Sequence, residues 1–454
     1  MPSNLLPVPP LPAHQLLLFL LQLGVLLLLA LVLGQLAGRI GLPAVVGELA
    51  AGVLVGPTLL GRAAPELSRW FLPPVSDQFH LLDAVGQLGV ILLVAVTGTE
   101  MDTALVRRRG AAALGVGVAG LVVPLGLGIA AGYLVPRPLL TDGADRLVFA
   151  LFLGVALCVS AIPVIAKILA DMDLLHRDVG QLTLAAGMID DVIGWLLLAV
   201  VSAMATGGVD GSAAAWSVVR VALVLALAAT LGRPLVRGLT RWAARRAGSA
   251  PAATAVALVV LCAAGTHALG LEAMFGAFLA GLLLGGAGTA GAGGVAPLRT
   301  VVLGVLAPLF FASAGLRIDL AALARPTVLA TATGVLLVAV AGKFAGAFLG
   351  ARAGRLGRWE ALAVGAGMNA RGVIQIIVAT AGLRLGILTP SVYTIVILTA
   401  ILTSVMAPPI LGYATRRITP TADEEARRRR ALAAQSDLPF TPANWRTPVA
   451  PQQR

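Results

Sequence analysis

The sequence predicts an all-α polytopic membrane protein, and three observations carry that prediction. Of its 454 residues 58% are hydrophobic and only 12% are charged, about half the charge of a soluble domain. Mean hydropathy is +0.94. Apolar runs of about 20 residues recur along the chain, each long enough to cross a hydrocarbon core of roughly 30 Å.

Thirteen spans follow from these runs, near 15–38, 42–60, 82–99, 110–135, 146–170, 178–205, 213–232, 251–269, 271–288, 298–315, 327–350, 358–383 and 391–413. The opening "MPSNLLPVPPLPAHQ" lacks a basic n-region, so the first span reads as part of the mature fold and not as a cleaved signal. Residues 415–454 are polar, basic and Pro-containing and read as a disordered extension.

Arginine placement orients the spans. One set of loops carries Arg39, Arg107 to Arg109, Arg177, Arg233, Arg237, Arg241, Arg245, Arg246, Arg299, Arg352, Arg355 and Arg358. The opposite set carries Arg62, Arg69, Arg137, Arg146, Arg317, Arg325 and Arg384. The richer set is cytoplasmic by the positive-inside rule, which puts the N-terminus outside and the C-terminus inside a plasma membrane. The net charge of +12 is thus read as topology control and attraction to anionic lipid, not as nucleic-acid binding.

Charges inside the spans are few, and each marks a candidate site. "GMIDDVIGW" holds Asp190 and Asp191 side by side near mid-span. Two neighbouring carboxylates cannot both ionise cheaply, which makes a proton site that a hard cation can contest. Lys343, in "LLVAVAGKFAGAFLGARAG", lies too far from either end to reach water easily and needs a carboxylate partner, Asp190 or Asp191. A pair that breaks when a cation competes for the carboxylate couples cation binding to proton release; a static ion pair is the plainer alternative.

Two interruptions flank this charge set. "CVSAIPVIAK" places Ser160 and Pro163 inside the fifth span, and "GMNARGVIQ" places Asn369, Arg371 and Gly372 inside the twelfth. Proline frees a backbone carbonyl, and paired breaks in two halves of a chain point to a transport site between inverted repeats. Arg371 reads as charge balance against the aspartates or Glu48, and Glu48, in "GLPAVVGELAAGVLVGPTLLG", as a structural charge. Glu100 and Asp102 in "TGTEMD" read as solvated or capping. Cys158 and Cys262 lie in apolar runs and read as buried small hydrophobes without disulfide or metal spacing. The four histidines, His14, His80, His176 and His267, are scattered; His176 shares a cytoplasmic loop with Asp171, Asp173 and Asp178, where pH sensing is conceivable.

"GLPAVVGELAAGVLVGPTLLG", "SAIPVIAKIL", "GMIDDVIGW", the span holding Lys343 and "MNARGVIQIIV", in that order over residues 15–413, resemble the successive signatures of the monovalent cation:proton antiporter-2 family. The resemblance implies a six-helix core, about 110–205 and 327–413, with two crossed broken helices, beside a dimerisation domain or scaffold made by the remaining spans, and elevator-type exchange of sodium or potassium for protons by a homodimer. It implies that Asp191 carries the ion and proton, that Asp190 marks electrogenic members, that Lys343 pairs with the site, and that Ser160 lines the crossover. Two departures stand out: Gln375 occupies a position that is often acidic, and "GTE" with Thr99 replaces "GLE". Export of an organic cation or antibiotic by the same core, or a non-transporting partner or sensor subunit, are the alternative readings. No nucleophile–base set or nucleotide loop points to an enzyme, and no cofactor is implied.

Overall fold

The computed structural model describes residues 11–73, 76–101, 103–207, 211–246 and 249–436. The chain opens with α1 (Ala13–Arg39), α2 (Ala44–Val55) and two short turns, α3 (Leu60–Ala63) and α4 (Pro65–Phe71), followed by α5 (Ser76–Thr99). α6 (Thr103–Leu134), α7 (Arg146–Cys158), α8 (Ile162–Asp171) and α9 (Asp178–Gly207) come next. α10 (Gly211–Leu227), α11 (Arg233–Ala244), α12 (Ala250–Ala268), α13 (Ala273–Gly285), α14 (Thr289–Val301) and α15 (Ala307–Gly315) follow. The chain closes with α16 (Pro326–Ala353), α17 (Arg358–Met368), α18 (Val373–Arg384), α19 (Pro390–Thr415) and α20 (Ala422–Ser436). Among the described residues the only β pairing is an isolated bridge, Leu140 with Leu388.

Among the described residues eleven segments are long and apolar enough to cross a membrane, and the pair α17–α18, bent by 43°, adds a twelfth. The thirteenth expected span, near 271–288, falls on a shorter apolar helix, Ala273–Gly285, which does not reach the length of a crossing. A closed set of helices with satisfied backbone is what a bilayer demands, because nothing in hydrocarbon can pair a free N–H or C=O.

The helices sort into two groups by packing. α6, α7, α8, α9, α16, α17, α18 and α19 pack chiefly on one another, while α1, α2, α5 and α11 to α15 pack among themselves. α9 meets the second group through α10 and α13. Within the first group, α6, the broken α7–α8 and α9 repeat as α16, the broken α17–α18 and α19. The two broken units run in opposite senses. The Leu140–Leu388 bridge and a hydrogen bond from Thr389 Oγ1 to Leu139 O (2.8 Å) join the start of α7 to the end of α18. At the opposite end, Arg177 beyond α8 donates to Ile418 O beyond α19 (2.9 Å).

Close approach within this group rests on glycine. Gly342, Gly346 and Gly350 form a stripe along α16, and a Cβ at Gly346 or Gly350 would stand 2.3 Å from Ala119 O or 2.5 Å from Gly115 O of α6. Only a residue without a side chain allows that backbone contact. Lys343 is carried on the same helix, next to the stripe.

Part of the tail expected to be disordered is helical; residues 437–454 lie outside the described residues. Residues 422–436 form α20, and Glu424 of this helix is buried. Thr421 and Glu424 form a capping box: Glu424 N donates to Thr421 Oγ1 (3.3 Å) and Thr421 N to Glu424 Oε2 (2.8 Å). Composition alone conceals such a start signal because the helix surface is otherwise charged.

Candidate cation and proton site

The break between α7 and α8 is made locally by sequence. Val159 turns extended and Pro163 sits in the first turn of α8. Proline has no N–H, so the last carbonyls of α7 have no helical donor to follow. Lys343 Nζ takes one of them, donating to Cys158 O. The second break spans Asn369 to Gly372. The two breaks hold each other: Ser160 Oγ donates to Met368 O (2.8 Å) and Ala161 N to Ala370 O (3.2 Å). Gly372 fits here because a Cβ would stand 2.7 Å from Val164 Cγ2.

α9 lays the aspartates against this crossing. Gly194 permits the approach, since a Cβ there would meet Val159 Cγ2 at 2.9 Å, and Gly187 faces Ile162 and Ile165. Asp190 Oδ2 accepts from Lys343 Nζ (2.8 Å) and from Ser160 N (2.7 Å). Asp190 and Lys343 are both 0% exposed. Asp191, 0% exposed as well, has no hydrogen-bond partner on either carboxylate oxygen. The Ile162 amide at the start of α8 is the backbone donor that bears on it. Half-helix ends thus serve both signs of charge: carbonyls at the end of α7 face the ammonium, and amides at the start of α8 face the carboxylates.

Asn369 is buried in the second break with both ends of its side-chain amide unpaired. Arg371 is also buried; Nη2 donates to Ala339 O (2.8 Å), while Nε and Nη1 have no partner. Its own carbonyl accepts from Ser404 Oγ. Gln375, one turn on, donates to Val396 O (3.1 Å) and leaves Oε1 unpaired.

Glu48 stands apart from this cluster. It packs against Gly34 of α1, with Cγ 3.4 Å from where a Cβ would sit. The pairing of Arg371 with Glu48 therefore does not form: the arginine reaches a backbone carbonyl of α16 instead. Glu100 is not simply solvated. It pairs with Arg299 (2.9 Å), and burial pushes its carboxyl up while the arginine opposes that. Asp102 lies outside the described residues. Cys158 is buried, but Cys262 is only partly so. His176 meets Asp173 at 3.5 Å.

Several partners were not legible in the sequence. The carbonyls of Cys158 and Ala339 carry no side-chain signal, although Pro163 announces that carbonyls nearby are freed. Trp195, one turn after Asp191, stacks on Phe278 of α13 (5.9 Å between centroids, tilted 32°) and joins the two helix groups. Among the described residues no group of three or more His, Cys, Asp and Glu is placed to hold a metal ion.

The sodium/hydrogen exchanger transmembrane family matches residues 25–416. The chain is 31% identical over 402 residues to the Na(+)/H(+) antiporter NhaS4 of Synechocystis, covering 88% of this chain and 97% of that protein. It is 30% identical to the Arabidopsis thaliana cation/H(+) antiporter 18, covering 86% of this chain and 48% of the other. The chain thus spans about half the length of such plant relatives. Among solved structures, the sodium proton antiporter MjNhaP1 of Methanocaldococcus jannaschii matches with a TM-score of 0.62 and 17% identity, over 89% of this chain and 99% of that one. At that identity the match shows the shared fold.

Proposed function

Because the chain belongs to the sodium/hydrogen exchanger family, we propose that it is a secondary active antiporter that exchanges sodium or potassium for protons. The observation that carries this reading is Asp191, a fully buried carboxylate with no hydrogen-bond partner on either oxygen, at the crossing of two broken helices. An ionised carboxylate in a dry interior is costly without a partner. Asp191 therefore holds either a proton or a cation, and that exclusivity is the coupling. The unpaired amide of Asn369 supplies an oxygen suited to a hard cation.

Asp190, Lys343 and Arg371 set the remaining charge. With Asp191 ionised, the two buried aspartates balance the two buried cations. A cation arriving at Asp191 draws on Asp190, loosens the 2.8 Å contact with Lys343 and favours release of the ammonium proton. Two protons then leave for one cation, and each cycle moves net charge. Ser160 and Pro163 shape the crossover, and Arg371 acts as structural charge.

We assign α6 to α9 and α16 to α19 as the moving core and the remaining spans as the scaffold, which forms the dimer. The core moves against the scaffold as in an elevator. The arginine asymmetry supports a cytoplasmic C-terminus and an external N-terminus in a plasma membrane.

Liposomes reconstituted with the protein and loaded with a pH gradient test this directly. Sodium, potassium and lithium are added in turn, and proton flux is followed. Wild-type protein should dissipate the gradient with at least one of them, and Asp191→Asn should abolish the flux while melting at an unchanged temperature. Wild-type flux in Asp191→Asn would overturn the assignment.

A further inference from the structure

Glu424 is the one buried side chain in the described part of α20. Besides closing its own capping box, it accepts from the backbone N–H of Asp178 (2.6 Å) and from Arg177 Nε (3.1 Å). Asp178 is the first residue of α9. One carboxylate therefore caps two helices at once, its own and the one that carries Asp190 and Asp191. The first N–H groups of any helix lack intrahelical partners, and α9 draws one of its caps from a segment about 250 residues away.

Neighbouring residues extend the contact. Arg427 donates to Asp178 Oδ1 (2.7 Å) and to His176 O (2.9 Å). Arg428 meets Asp173 Oδ2 at 2.6 Å. Glu424, Arg427 and Arg428 fall at i, i+3 and i+4, so they share one face of α20. The contacts differ in weight. Arg428 and Asp173 are more than half exposed and contribute little. Arg177 and Glu424 are 11% and 3% exposed at their side chains, so solvent screens them far less. Asp173 itself has φ of 53°, a left-handed conformation that costs a non-glycine residue energy unless its surroundings enforce it. The surroundings here are His176 and Arg428.

We propose that α20 is a brake on transport: it clasps the loop between α8 and α9 and restrains the helix that carries the paired aspartates. This rests on the antiporter reading given above. The loop joins the half-helix whose amides face Asp191 to the helix that bears it, so any movement of one against the other strains the 172–177 segment. With the clasp closed, Asp190, Asp191 and Lys343 are shut from both faces of the molecule. Releasing Glu424 returns the α9 amide to water and lets Asp173 relax.

The test uses the full chain in proteoliposomes, with sodium, potassium and lithium as probes, beside amide hydrogen exchange of the same protein. Glu424→Gln keeps the shape and removes the charge. It should speed amide exchange at Asp178–Gln181 and raise turnover, each by about fivefold, the factor expected for one lost cap. Cation KM should not change. Arg427→Gln leaves the buried carboxylate in place and should move both readings the same way by less. Faster amide exchange with unaltered turnover would make the contact a structural cap and overturn the brake; unaltered amide exchange would overturn the clasp itself. A wild-type protein inert to all three cations would instead sink the antiporter reading, and the hydrogen-exchange result would still stand.

Discussion

Lys343 donates both to Asp190 and to the Cys158 carbonyl freed by a broken helix, and this double use makes it hard to replace. Its truncation leaves a buried carboxylate without a counter-ion, a loss of about 3–5 kcal/mol. Lys343→Ala should therefore lower the melting temperature in detergent, and Asp190→Asn in the same chain should recover most of it. The double variant removes both charges at once, so recovery identifies the pair as the source of the cost. On a solid-supported membrane, Lys343→Ala should turn exchange electroneutral; unchanged charge movement would separate Lys343 from coupling. The types of these residues were legible in sequence because charge in an apolar run is rare. The choice between Asp190 and Asp191 as the lysine's partner was not, since adjacent residues on a helix differ by only about 100° in direction. The direction was set by the crossing, where the Ser160 amide takes the same Asp190 oxygen.

At the scale of elements, the stripe Gly342, Gly346 and Gly350 lets α16 touch the backbone of α6, and Gly334 on the same helix faces nothing within 4 Å. The contrast yields a paired prediction. Gly346→Leu forces the helices apart and should destabilise the protein by about 3 kcal/mol or more. Gly334→Ala should stabilise by up to about 1 kcal/mol through helix propensity. Thermal unfolding of both variants checks this, and equal shifts would show that glycine spacing does not hold the core. The stripe could be read from the sequence, but not which helix it meets. The α20 clasp was less visible still, because "TADEEARRRR" looks like a solvated charge run. Its acid is distinguished only by where it lands. Burial pushes the Glu424 carboxyl up, but the Asp178 and Thr421 amides and the Arg177 charge outweigh it and hold the group below its ordinary 4.5. Stability from a depressed carboxyl is complete above its unfolded value and fades as pH falls through the folded one. Arg177, Asp178 and Arg427 surround it, with His176, Asp173 and Arg428 beyond. Amide protection at the first turn of α9 should thus be constant across neutral pH and be lost only in acid below 4.5. Loss already at neutral pH would show that Glu424 does not set this protection.

On the scale of the whole molecule, the succession of spans could be read from hydropathy because a bilayer forces length and apolarity on each crossing, and only the short helix Ala273–Gly285 falls below the length of one. How they divide into two groups could not, since lipid-facing and protein-facing surfaces are equally apolar in sequence. The division rests on packing, and its seam runs through α9, which bears the aspartates on one stretch and Trp195 one turn later. Trp195 is buried and stacks on Phe278 of α13, in the other helix group, at 5.9 Å. If transport moves the core as a body, this contact must break and re-form in each cycle. Joining the two sides there should stop it. In a chain with Cys158 and Cys262 replaced by alanine, Trp195→Cys and Phe278→Cys can be bridged by a short bifunctional thiol reagent. Proton flux should fall to background on bridging and return on reduction, while either single variant treated alike stays active. Undiminished flux through the bridged protein would mean that Asp191 reaches both aqueous sides without sliding past α13, and only local movement of the broken helices would then remain as the route.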